Sequence, residues 1–156
     1  MRIDPAGFPF VAIAALPALV ALLFAKSAIA LALLALPVAI ALFFRDPDRS
    51  VPHDPHIVLA PADGRVMHAG DARPDEAPPG RWQQVSIFLS LLDVHINRTP
   101  VPGRVTRVEY VPGSAIPAYR QDAHRNEHSE IWLEHDGQVV VTRQVVGVLA
   151  RGVLCR

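Results

Sequence analysis

Lysine is almost missing from this sequence of 156 residues: Lys26 stands alone against 14 arginines. A pyridoxal phosphate enzyme holds its cofactor on a lysine, and a phosphate-binding P-loop needs a lysine on the phosphates. One lysine set between two apolar runs serves neither chemistry. Cysteine is equally scarce, since Cys155 is the only one. It permits no intramolecular disulfide and no cysteine-based metal cluster, and it fits a reducing compartment. Excess charge is absent too, with 15 basic and 15 acidic residues. Without a basic field the chain has nothing to recruit nucleic acid, which is not an expected partner.

Several site patterns are missing as well. His53 and His56 lie three apart in a proline-rich stretch, and His124 and His128 lie four apart in RNEHSE, which is not the HExxH of a zinc hydrolase. No metal is expected. Ser86, Ser90, Ser114 and Ser129 could be considered for Ser-His-Asp hydrolysis, but none sits in a GxSxG elbow. Beyond residue 50 no amphipathic helical pattern exceeds about two turns.

What the chain has in abundance is apolar sequence at its N-terminus. Phe8 to Ala25 and Ala28 to Phe44 are apolar runs of 18 and 17 residues, broken only by Lys26 and Ser27. Each is near the minimum length for a membrane-spanning helix. A signal peptide would carry one shorter core and a small-residue cleavage site, whereas a second run follows here at once and ends at FFRDPDR. The expectation is a retained helical hairpin over residues 1–44. It either crosses the bilayer twice or forms a re-entrant or interfacial pair bent by Pro9, Pro17 and Pro37. Both arrangements return the chain to the side it left. Arg2, Arg45 and Arg49 mark that side as cytoplasmic, so the expected location is the cell membrane with residues 45–156 on its cytoplasmic face.

Residues 45–156 read as one β-rich domain, a sandwich or barrel-like arrangement of antiparallel sheets, so the fold class is mainly β with an N-terminal apolar helical hairpin. The strand candidates are His56 to Ala60, Gln83 to Ser90, Arg104 to Val111, Glu130 to His135 and Gln138 to Val146. Asp63-Gly64 and Asp136-Gly137 each sit between such runs in the manner of two-residue hairpin turns. Ile131 and Leu133 alternate with Glu130, Trp132 and Glu134, the pattern of a half-buried strand. Residues 71–80, DARPDEAPPG, read as a surface loop.

Two residues carry the chemical interest. Asp63 in APADGRV is an acid in a tight turn, and His95 in LDVHINRTPVPG lies in an alternating run. Each also has a plain structural reading, because Pro-Ala-Asp-Gly is good turn chemistry and a histidine in such a run often serves as a hydrogen-bonded structural group. Arg98, Arg104, Arg107, Arg120 and Arg125 could grip a phosphate through paired N–H groups or simply face solvent.

The order of the motifs adds to this reading. FFRDPDRSVP at 43–52, APADGRV at 60–66, IFLSLLDVHINRTPVPG at 87–103, VPGSAIPAY at 111–119, NEH at 126–128 and VVGVLARGVLCR at 145–156 together resemble the short form of the phosphatidylserine decarboxylase proenzyme family. That resemblance implies a proenzyme that cuts itself at a serine near its C-terminus and converts the serine into a pyruvoyl group on the smaller chain. It answers the missing lysine, since the pyruvoyl carbonyl would form the Schiff base with phosphatidylserine and take up the electrons released with CO2. Phosphatidylethanolamine would be the product.

By position, Asp63 resembles the acid linked to self-cleavage and His95 the histidine that protonates the carbanion-like intermediate. Arg98, Asn126 and Glu127 are the implied substrate-binding residues. Longer members read DYHRVHMP where this chain reads DVHINRTP, so Arg98 stands in place of a second histidine. The family also shows Arg where His128 stands. The Gly-Ser cleavage motif is expected beyond Arg156, so the pyruvoyl serine is not in this chain, which is expected to be a portion of the larger subunit inactive by itself.

The implied partners are phosphatidylserine, the lipid bilayer and the pyruvoyl-bearing smaller subunit, with a homodimer left open. Two alternatives stand beside this reading: the same reaction on an archaeol-type serine phospholipid, and a noncatalytic membrane-anchored β domain that binds lipid or a partner.

Overall fold

The computed structural model describes residues 2–24, 27–52, 54, 57–73 and 76–148. The chain divides into two compact units. The first combines Met1–His53 with Ala62–Gly64 and Leu89–Asn97, and the second combines Asp54–Pro61 with Arg65–Phe88 and Arg98–Arg156.

The first unit opens with a short strand, β1 (Arg2–Ile3), and then a 3-10 turn, Pro5–Gly7. Asp4 starts that turn by accepting the Ala6 N–H on Oδ1 at 2.8 Å, with Pro5 in the first position, where a missing N–H costs nothing. Helix α1 (Phe8–Leu23) follows, then α2 (Ser27–Leu33) and α3 (Ala35–Phe43). The interruption between α2 and α3 has a local cause. Pro37 has no N–H to offer the Leu33 carbonyl, so regular helix stops there and restarts around the proline. The second arm ends in β2 (Arg45–Asp46), which pairs antiparallel with β1, and the Asp4 N–H donates to the Phe44 carbonyl at 2.8 Å. This latch closes the base of the hairpin.

Small residues occupy the helix interface: Ala14, Ala18 and Ala30 are buried. Ala14 and Ala18, four apart, lie on one face of α1 and permit close helix approach. Ile13, Leu16, Leu19 and Leu23 are exposed, along with Leu31 and Leu36 on the second arm. The apolar bulk therefore points outward, the reverse of a soluble helical hairpin. Among the described residues one helical segment, Pro5–Leu23, is long and apolar enough to cross a membrane, and Ser27–Phe43 is a shorter apolar segment.

The second unit is built from antiparallel strands. Here β3 (Arg65–Asp71) pairs with β4 (Gln83–Phe88) through a bulge between Val66 and His68, and β5 (Arg104–Val111), β6 (His128–His135) and β7 (Gln138–Val145) form a three-stranded sheet with β6 in the middle. Central position buries Leu133, Ser129 and Glu130 of β6. Asp136 and Gly137 join β6 to β7 with φ of 47° and 76°, the left-handed pair that a two-residue hairpin turn requires. Trp82 meets Trp132 edge-to-face at 6.1 Å, and the Arg107 guanidinium lies 5.4 Å from the Trp132 ring centre.

The structure bears out a mainly β chain with an N-terminal apolar helix pair, and it corrects three details. His56 lies outside the described residues, and residues 57–60 form no ladder; instead the Leu59 N–H donates to the Pro100 carbonyl at 2.9 Å. Asp63-Gly64 is not a hairpin turn, because the strand after it, β3, pairs forward with β4. Strand β3 itself was not expected from the sequence. Residues 149–156 of VVGVLARGVLCR, Cys155 among them, lie outside the described residues.

Candidate active site

Asp63 and His95 belong to the first unit, and Arg98, Asn126 and Glu127 to the second. Asp63 follows the Pro61-Ala62 bend, and its carboxylate accepts from the Arg49 guanidinium. Both side chains of this pair are well exposed, so the contact orients the acid more than it stabilises the fold.

His95 lies in the segment from Leu89 to Asn97, held against the end of the hairpin. Its ring stacks on Phe43, the last residue of α3, with centroids 4.0 Å apart and planes inclined by 28°. The Arg45 guanidinium donates to the Leu42 carbonyl at 2.8 Å and also to the carbonyl of Leu92, stapling this segment to the helix terminus. His95 Nδ1–H donates to the Asp93 carbonyl at 3.0 Å, which assigns the proton to Nδ1 and leaves the lone pair of the neutral ring on Nε2. Burial is the largest influence on its pKa and, helped by the Arg45 charge, lowers it below the ordinary 6.5 against the opposing pull of Asp93. The resting imidazole is neutral near pH 7.

Two residues beyond His95, Asn97 has a side-chain oxygen, Oδ1, that is buried with no hydrogen-bond partner among the described residues. A buried acceptor left open is costly, so this atom has capacity for one further hydrogen-bond donor.

In the second unit the NEH segment is tightly fixed. Asn126 is fully buried: Nδ2 donates to the carbonyls of Ile116 at 2.8 Å and Val146 at 2.9 Å, and Oδ1 accepts from the Ile116 N–H at 3.0 Å. Both amide donors are thereby engaged with backbone. Gly113 lets the VPGSAIP segment approach this point, because a Cβ there would collide with the Arg125 carbonyl and the Asn126 backbone. The Glu127 N–H donates to the Ser114 carbonyl at 2.8 Å and the Glu127 carbonyl accepts from the Val146 N–H at 3.0 Å, while desolvation and then the neighbouring Glu127 carboxylate raise the Tyr110 pKa. The Arg98 N–H donates to the Pro61 carbonyl at 2.8 Å, and its side chain is exposed.

Beside this segment lies a buried polar group that the sequence did not announce. Arg143 Nε donates to Glu130 Oε1 at 2.9 Å, Trp132 Nε1 donates to Oε2 at 3.2 Å, and His128 Nε2 stands 3.8 Å from Oε1 while its Nδ1–H donates to the Asn126 carbonyl at 2.7 Å. Burial alone would raise the Glu130 pKa, but the hydrogen bond and charge of Arg143 outweigh it and hold the carboxyl below its ordinary value. His128 is thus part of a structural network around a buried carboxylate.

Sequence reasoning missed Phe43, Arg45, Arg49 and Asn97. Phe43, Arg45 and Arg49 stand within the FFRDPDRSVP motif and Asn97 within the His95 motif, so position in a motif was the available signal. Among the described residues no group of three or more His, Cys, Asp or Glu side chains could hold a metal ion.

The comparisons with known proteins agree with the motif order. The family profile described as phosphatidylserine decarboxylase matches residues 38–156. A phosphatidylserine decarboxylase proenzyme from Symbiobacterium thermophilum is 44% identical over 95% of this chain and 69% of the relative. Proenzymes of the same name from Paraburkholderia xenovorans and Geotalea uraniireducens are 37% and 38% identical over 96% of this chain, covering 71% and 70% of their own lengths. A profile match over most of the sequence, together with relatives at this identity and coverage, shows that the chain belongs to the phosphatidylserine decarboxylase family, whose chemistry is decarboxylation.

Proposed function

We propose that the protein is the larger-subunit portion of a membrane-bound proenzyme that converts phosphatidylserine to phosphatidylethanolamine in phospholipid biosynthesis, using a pyruvoyl group formed from a serine beyond residue 156. The observation that carries this reading is His95: a neutral, half-buried imidazole stacked on the last residue of an apolar hairpin. A lipid headgroup reaction needs an ionisable group at such a boundary.

The His95 segment has hydrogen-bonding capacity for an added chain that would carry the pyruvoyl group. Asn97 Oδ1 offers an open buried acceptor to the N–H donors of an added chain, and no lysine is needed where the amine comes from the substrate. Asn97 and His95 are the residues that would face the group. When present, it supplies an electron-withdrawing carbonyl that engages the serine amine and accepts the electrons released with CO2.

The work of this chain is to move protons and to hold the headgroup. With Nδ1–H fixed on Asp93, His95 takes and gives protons at Nε2. Because its pKa is lowered, the protonated ring is a stronger acid than an ordinary imidazolium, which favours delivery of the proton to the former α-carbon. The Phe43 ring covers one face of the imidazole and adds to the burial that lowers its pKa. Asp63, oriented by Arg49, assists the self-cleavage that makes the smaller chain.

Arg98 offers paired N–H groups to the headgroup phosphate, and Glu127 offers its carboxylate to the amine. Asn126 acts through the backbone of Ile116 and Val146 that it holds. Arg2, Arg45 and Arg49, which flank the apolar hairpin, support a cytoplasmic orientation of the domain at the cell membrane.

The test is conversion of phosphatidylserine in vesicles by the full-length proenzyme, read as phosphatidylethanolamine by mass spectrometry. The parent should convert the lipid, and His95→Ala should still self-cleave yet form little product. Full activity in His95→Ala would remove His95 from the chemistry, and no conversion by the parent would overturn the reading.

A further inference from the structure

The first unit carries an apolar feature outside the hairpin. Leu91 and Leu92, at the tip of the turn from Ser90 to Asp93, are 57% and 84% exposed. Adjacent leucines at the tip of a tight turn are costly in water, yet this turn is locally well ordered. The Asp93 N–H donates to the Ser90 carbonyl at 3.0 Å, the Ser90 N–H donates to Asp93 Oδ2 at 2.7 Å, and the Leu92 carbonyl accepts from Arg45. Ser90 thus lowers the Asp93 pKa and keeps its carboxylate ionised and engaged. The turn meets much of its own backbone hydrogen-bonding need, which is the condition for non-helical backbone to approach hydrocarbon.

The turn is also fixed in place. The Arg45 guanidinium that holds the Leu92 carbonyl holds the Leu42 carbonyl of α3 as well, and His95, three residues beyond Leu92, stacks on Phe43. The two leucines are therefore tied to the very end of the apolar hairpin, where its exposed leucines and phenylalanines give way to Arg45, Asp46, Asp48 and Arg49. Such a change from apolar to charged residues is the profile of a membrane–water boundary.

We infer that the Leu91–Leu92 turn is a second membrane contact, dipping into the bilayer beside the hairpin and holding the His95 segment at headgroup level. This rests on the membrane placement proposed above. The occupant is the bilayer because the turn continues the apolar hairpin surface to which Arg45 ties it. The consequence is positional: His95 meets a headgroup still seated in the membrane, and the lipid tails need not leave it.

The experiment uses the full-length proenzyme in phosphatidylcholine and phosphatidylserine nanodiscs, with Cys155→Ser and any further cysteine replaced. An environment-sensitive fluorophore is attached at Leu92→Cys, and in parallel variants at Leu91→Cys, at Leu19→Cys in α1 and at Tyr119→Cys in the second unit. Lipids carrying a doxyl quencher near the top of the acyl chain should quench the Leu92 label at least threefold more than aqueous iodide does. The Leu19 label should respond likewise and the Tyr119 label in the opposite sense.

Quenching of the Leu92 label by iodide alone would put the turn in water and overturn the inference. Protection from both quenchers would mean that protein, either the smaller chain or a second copy, covers the turn, and would also overturn it. A Leu19 label untouched by doxyl lipid would remove the hairpin from the membrane and the inference with it. None of these readouts depends on decarboxylase activity, so a failure of the turn and a failure of the enzymatic reading are separable.

Discussion

Replacing Asn126 with alanine should damage the fold before it touches any chemistry. The side chain is 0% exposed and makes three hydrogen bonds, from Nδ2 to the Ile116 and Val146 carbonyls and from the Ile116 N–H to Oδ1. Asn126→Ala leaves those three backbone groups without partners. The Val146 carbonyl is enclosed and should cost about 1–3 kcal/mol, and the two Ile116 groups, which water can partly reach, roughly 0.5–1.5 kcal/mol each. A loss of about 2–6 kcal/mol is a large share of the ~5–15 kcal/mol typical of a folded domain. Asn126→Asp should be no better, because it retains an acceptor for the Ile116 N–H but sets a second oxygen against two carbonyls. Urea unfolding of the detergent-solubilised protein, followed through Trp82 and Trp132, measures the effect. A midpoint for Asn126→Ala equivalent to a change under about 0.5 kcal/mol, with activity lost, would refute this reasoning and make the amide a direct substrate ligand.

The remaining predictions concern the first unit. In an NMR titration His95 should titrate below the ordinary 6.5, and a value at or above it would contradict the buried, stacked environment. Because the folded value lies below the unfolded one, the stability linked to His95 is fully present above the unfolded value and is lost as pH falls through it toward the folded one. Phe43→Leu, with the hairpin still apolar, should move that titration upward by admitting water to the ring; an unchanged titration would show that the stack does not set the environment. Arg49→Ala should change stability by only about 0–1 kcal/mol, as exposed pairs do, while Asp63→Ala should leave the precursor uncut. Normal processing of Asp63→Ala on a denaturing gel would return Asp63 to the status of a turn residue. Deleting residues 1–44 should move most of the protein to the supernatant and strip His95 of Phe43, because the Leu91–Leu92 turn alone is too small to hold it; full persistence in the membrane fraction would reveal a contact stronger than that turn.

Much of the β architecture was legible because its signals are local. Alternation in EIWLEH and the Asp136-Gly137 turn define β6 and β7, and the run at 104–111 matches β5. Strand β3 was hidden because RVMHAGD mixes Arg, His, Gly and Asp with few apolar positions, and most of its residues remain exposed. The latch of β1 with β2 joins two dipeptides more than forty residues apart in sequence, so no local pattern could show it. The residues Asp63 and His95 stood out through their motifs, but their partners Arg49 and Phe43 are defined only in three dimensions. Asn126 shows the same limit: its place in NEH marked it, while the carbonyls it holds come from residues 10 before and 20 after it.

The claim on which the account turns is that the electron sink is made from the protein itself. Intact mass spectrometry of the purified full-length protein tests it directly. The account predicts two chains, with the smaller one blocked at its N-terminus by a pyruvoyl group that hydroxylamine or borohydride shifts by the expected mass. A single uncleaved chain that still decarboxylates phosphatidylserine would contradict it.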